Sequence, residues 1–135
     1  MVINIDWLQI YCTGSISNSN GYEIKRLEYS TRIFKHIDEI YFNKKKICTA
    51  THTPFSSVLE QDMIIIKFEN YLLYEKELFL VVDNFLKDFN LTYKSISRLD
   101  IAADFNTFYK KRNVQNFLNE FLKNNVRKIG KANYK

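Results

Sequence analysis

Cysteine and histidine, the residues of zinc and thiol-redox motifs, are scarce in this sequence. Cys12 and Cys48 are the only cysteines, far apart and without a CxxC partner. That excludes a zinc ribbon and a thioredoxin-type motif and leaves two reduced, partly buried thiols as the expectation. His36 and His52 are equally isolated, with no His-x-His pair and no HExxH, so a histidine-based metal site has little support. Nowhere does the chain approach the roughly 18 consecutive apolar residues of a membrane span. The opening MVINIDWLQIY has no basic segment ahead of its apolar part and carries Asp6 inside it. It reads as a strand rather than a signal peptide, and a cytoplasmic protein is the expectation.

What is present is ordinary globular composition, 46% apolar and 26% charged over 135 residues, enough for one domain spanning 1–135. The net charge of +5 permits an acidic partner such as nucleic acid without requiring one. Its distribution is uneven. Lys44, Lys45 and Lys46 form one cluster, and Lys110, Lys111 and Arg112 a second. From Lys123 onward come Arg127, Lys128, Lys131 and Lys135 with no acidic residue among them, and 126–135 reads as a mobile tail. The many Lys, Asn, Ile, Phe and Tyr residues share A/T-rich codons, so the aromatic content is no argument for base stacking.

Periodicity supplies the elements. Val2–Cys12 reads as a strand, Thr13–Gly21 as a loop, and Tyr22–Phe42 as strands broken near Ser30 or Asp38. Asn43–Lys46 gives a turn, ICTATH another strand, and the segment around Pro54 a connection. Met63–Glu69 is a strand. Tyr74–Phe89 carries Leu78, Val81, Val82, Phe85, Leu86 and Phe89 at helical spacing. Tyr93–Phe105 is a strand again, and a second helix is predicted over about 113–125, capped by Asn113. The predicted class is α+β, a mainly antiparallel sheet with helices packed on one face.

One strand needs a further account. In SISRLDIAADF, Leu99, Ile101, Ala103 and Phe105 share one face, and Arg98, Asp100, Ala102 and Asp104 the other. In Met63–Glu69 the same alternation separates Ile64, Ile66 and Phe68 from Ile65, Lys67 and Glu69. If the intervening helix packs on both apolar faces, Lys67, Glu69, Arg98, Asp100 and Asp104 emerge together on the opposite one. Neighbouring strands would make them one polar cluster; whether a third strand lies between is left open by the pattern. Carboxylates so placed suit Mg²⁺ or Mn²⁺, with Lys67 or Arg98 on a phosphate. The plain alternative is an ion-pair ladder with Arg98 bridging Asp100 or Asp104.

SRLDIAADF resembles the internal strand motif of the rolling-circle replication initiators of plasmids, phages and integrative elements, the replication initiation factor family. INIDWLQIY is similar to that family's first strand, and IIIKFENYLLY to its later strand-to-helix segment. The resemblance implies a ferredoxin-like sheet and, in a full-length protein, nicking and strand transfer on single-stranded or hairpin origin DNA. There a tyrosine attacks the phosphodiester while a divalent cation, Mg²⁺ or Mn²⁺, polarises it. Carried over, Asp100, Asp104 and Glu69 fall in the metal region, with Lys67, Arg98, Lys110, Lys111 and Arg112 as DNA-binding residues. The family's nucleophile stands in a pattern like Arg-x-Tyr-x-Lys, and neither Tyr109 nor Tyr134 has that context. The chain therefore reads as the N-terminal portion of an initiator, with no catalytic residue assigned and no efficient nicking expected. The alternatives are a non-enzymatic nucleic-acid module or a protein-interaction domain that forms homodimers.

Overall fold

The computed structural model describes residues 3–17 and 21–103, together with Asn119 and Lys123. Among the described residues, six strands form one antiparallel sheet: β1 (Ile3–Thr13), β2 (Tyr22–Arg26), β3 (Phe34–Phe42), β4 (Lys45–Pro54), β5 (Met63–Phe68) and β6 (Thr92–Ala103), in the spatial order β2-β3-β4-β5-β1-β6. Two short helices, α1 (Asn70–Leu73) and α2 (Leu78–Asp88), connect β5 to β6. β1 lies between those two strands and pairs antiparallel with both, so β5 and β6 run in the same direction with one strand between them.

The helix predicted over Tyr74–Phe89 starts later, at Leu78, after the separate single turn of α1. Of the expected stripe, Leu78, Val82, Phe85, Leu86 and the following Phe89 are buried, while Val81 is half-buried against the cluster. Phe85 meets Phe68 of β5 edge-on at 5.8 Å between ring centroids, and Tyr22 of β2 at 6.0 Å. These join Leu8, Ile10 and Cys12 of β1 and Ile64 and Ile66 of β5 in a single apolar cluster. Each such side chain contributes about 1.5–3 kcal/mol by leaving water. Cys48 also lies there, and both thiols are free and buried. Cys12 is level with Ile64 and Cys48 with Phe68, on opposite sides of β5, so they cannot be bridged.

The β3–β4 hairpin turns through Asn43 and Lys44, both with positive φ (50° and 65°), the backbone that a two-residue hairpin turn of matching twist requires. A bulge follows. Tyr41 faces Lys46, but Ile40 faces Cys48, so Ile47 is the extra residue on β4. Further irregularities interrupt β1 and β6, where Asp6, Lys94 and Ser97 have no cross-strand partner in the β1–β6 register. The break in Tyr22–Phe42 falls over 27–33. The helix expected over 113–125 lies outside the described residues apart from Asn119 and Lys123, both helical. The tail over 126–135 lies outside them too.

Candidate nucleic-acid interface

The face opposite the apolar cluster carries one polar row across the whole sheet. Lys25 pairs with Glu39, Glu39 with Thr49, Thr49 with Lys67, Lys67 with Gln9 and Gln9 with Arg98. Trp7 stands on the same face of β1, between the strand that carries Lys67 and the strand that carries Arg98. Strict alternation would put Trp7 on the side of Ile5. The bulge at Asp6 reverses it, leaving Ile5 buried and Trp7 half-buried with Gln9 and Tyr11.

Both cations close on the indole. Lys67 Nζ lies 3.9 Å and Arg98 Cζ 4.0 Å from the ring centroid. The ring quadrupole attracts each, and two flexible side chains are thereby held on strands about 9–10 Å apart. Arg98 is oriented further by Asp100, donating from Nε at 3.3 Å and from a terminal nitrogen at 2.7 Å. The hydrogen bond from Arg98 holds the Asp100 carboxyl below its usual range, and the same bond raises Arg98. Lys67 has no carboxylate partner among the described residues. The indole edge is also occupied: Trp7 Nε1 donates to Gln9 Oε1 at 3.2 Å, and Gln9 Nε2 donates to Ser97 Oγ at 3.3 Å.

Lys67, Arg98 and Asp100 are thus brought together, with β1 between their strands. Glu69 goes elsewhere. It lies beyond the end of β5, 3.8 Å from Lys46, which also holds Glu39 at 3.0 Å. Among the described residues, no three His, Cys, Asp or Glu side chains converge as a metal-binding group. Asp100 and Glu69 each face a cation instead. Asp104, Lys110, Lys111 and Arg112 lie outside the described residues, as do Tyr109 and Tyr134.

A second ionic cluster sits on the core side, at the β2 edge. Arg26 forks onto the fully buried Asp38 at 2.9 and 3.1 Å. His52 donates Nε2–H to Asp38 Oδ2, the oxygen that also accepts from the Arg26 terminal nitrogen, at 2.6 Å, and its Nδ1 lies 3.1 Å from Thr53 Oγ1. Thr53 has φ 61°, a strained value for a β-branched residue. His36 faces His52 across the hairpin, ring centroids 5.4 Å apart. The two histidines that stand alone in sequence are therefore neighbours. Burial pushes the Asp38 carboxyl up, but the Arg26 and His52 contacts outweigh it and leave it below its usual range. Burial, with Arg26 and His52 nearby, lowers His36. No protein-family model, curated protein or solved structure matches this chain.

Trp7 and Gln9 are the site residues that sequence reasoning missed. The signal available was a lone tryptophan in a strand whose polar partners, Asp6 and Gln9, do not alternate cleanly.

Proposed function

We propose that this chain is the DNA-binding part of a rolling-circle replication initiator and holds single-stranded or hairpin DNA on its Trp7 face. The observation that carries the reading is the convergence of Lys67 and Arg98 on one indole. An exposed cation–π contact is worth about 0.5–1 kcal/mol. Stacking of a base on an aromatic ring is worth about 1–3 kcal/mol. A base therefore takes the place of Lys67 over the ring, and the released ammonium goes to a phosphate. Arg98, fixed by Asp100, offers its remaining donors to the backbone. Lys110, Lys111 and Arg112 remain proposed DNA-binding residues from the resemblance, and a ferredoxin-like arrangement with helices on the core side would leave the Trp7 face to the ligand.

The divalent cation implied by the resemblance, Mg²⁺ or Mn²⁺, belongs to the same proposal. Asp100 with Asp104 and Glu69 would hold it, and when bound it supplies Lewis-acid polarisation of a phosphodiester. The described carboxylates do not fit this as they stand, because Arg98 occupies Asp100 and Lys46 lies beside Glu69. No chemical step is assigned to it. Mn²⁺ calorimetry tests it: heat that disappears in Asp100→Asn supports the metal, and no heat in either protein removes it.

Trp7 is the only tryptophan, so its fluorescence reports from the site itself. Titration with a short single-stranded oligonucleotide should quench it, and log K should fall linearly with log salt. Lys67→Ala with Arg98→Ala should weaken binding by tenfold or more and flatten the salt slope by about 1.4, or about 0.7 for each phosphate no longer neutralised. Unquenched fluorescence and unchanged binding in the double variant would remove the reading. Stable dimers without DNA affinity would point to the interaction-domain alternative.

A further inference from the structure

Beside Trp7 the same face opens into a groove of about 590 Å³, within the roughly 300–1,000 Å³ of small-ligand sites. Its floor is Gln9, Thr51, Ile65 and Ser97, and Ile33 and Leu59 rise from the flanking loops. The lining is mainly apolar. Thr51 uses its hydroxyl on the Ile65 carbonyl, at 3.4 Å. The floor's amide is Gln9, which also touches the platform, accepting from Trp7 Nε1 and donating to Ser97. These two bonds fix the amide plane. Among the described residues they leave one amide hydrogen and one oxygen lone pair unused.

We propose that this groove takes an unpaired nucleobase, the neighbour of the base stacked on Trp7. The inference rests on the nucleic-acid reading given above and states what that face recognises: two consecutive unpaired nucleotides rather than one. A base has apolar faces and a polar edge, which matches an apolar groove with a single oriented amide on its floor. The linking phosphate falls where Lys67 and Arg98 already supply positive charge. Gln9 couples the two subsites, since the residue that braces the indole edge is the one that meets the second base.

The test is an abasic scan with the full chain, read by Trp7 fluorescence at low salt, using short single-stranded deoxyoligonucleotides with the base removed at one position at a time. Two adjacent positions should each raise Kd by about tenfold or more. Ile65→Phe, which fills the floor without adding charge, should weaken the intact oligonucleotide by about tenfold and erase the penalty at one of the two positions. A penalty at a single position, or Ile65→Phe binding as wild type, overturns the groove while leaving the platform standing. The scan on the unmodified chain decides even if the variant does not fold. No quenching and no salt-dependent binding with any oligonucleotide overturns the platform reading, and the groove with it.

Discussion

Arg26 and Arg98 each hold an aspartate through Nε and a terminal nitrogen, at 2.9 and 3.1 Å in the first pair and 3.3 and 2.7 Å in the second. The surroundings differ more than the distances. Asp38 is fully buried, lies across the β2–β3 pair from Arg26, and is also held at Oδ2 by His52. Asp100 is 42% exposed and lies two residues along the same strand as Arg98. A buried carboxylate must be fully satisfied, because water cannot reach it if a partner is removed. An exposed one can exchange its partner for water at little cost. The first fork fastens the edge strand β2 to the sheet. The second orients a cation and leaves it available. Similar geometry thus closes a buried ionic cluster on one face and leaves an exposed, oriented cation on the other.

The comparison is broken most directly at Asp38. Asp38→Ala should lower unfolding free energy by about 3 kcal/mol, because Arg26 and His52 lose their shared acceptor. Urea denaturation checks this, and a change within about 0.5 kcal/mol would place Asp38 among ordinary surface substitutions.

The pH dependence should follow the same site. Asp38 is depressed in the folded chain, so its stabilisation is present above the unfolded carboxyl pKa of about 3.9 and is lost as pH falls through the folded value. Stability of the wild type should therefore decline below about pH 4, and Asp38→Asn should flatten that decline. Equal slopes in both proteins would show that the fork carries no linkage. Asp100 and Glu39 are also depressed, by Arg98 and Lys46 respectively, and leave a smaller slope in the variant.

The two arginines should then separate by function. Arg98→Ala should weaken oligonucleotide binding by about tenfold, while Arg26→Ala leaves binding unchanged where the protein remains folded. Equal losses would mean that binding follows stability rather than the Trp7 face. The smallest effect is on stability at the exposed pair. Arg98→Ala should leave the urea midpoint close to that of the wild type, and a clear drop would assign Arg98 a role in the fold.

Much of this was legible along the chain because it is local. Alternation alone separates Leu99 and Ile101 from Arg98 and Asp100, and Ile64, Ile66 and Phe68 from Ile65 and Lys67, and the register keeps both divisions. Helical spacing picks out the residues that α2 buries. His36 and His52 show why the rest was not. A two-residue turn at Asn43 and Lys44 without a bulge would pair His36 with Thr51. The extra Ile47 shifts the register by one and sets the two imidazoles opposite each other. The bulge at Asp6 likewise moves Ile5 to the core face, although strict alternation would place it on the side of Trp7, Gln9 and Tyr11.

The sequence by itself determined which side chains share a face within each unbroken run, because backbone sterics fix a period of two in strands and 3.6 in helices. Only the tertiary structure decided that β1 lies between β5 and β6, that Lys67 and Arg98 therefore meet on Trp7, and that Asp38 is buried between Arg26 and His52. Strand order and bulges arise from contacts between residues distant along the chain, and no local period encodes them.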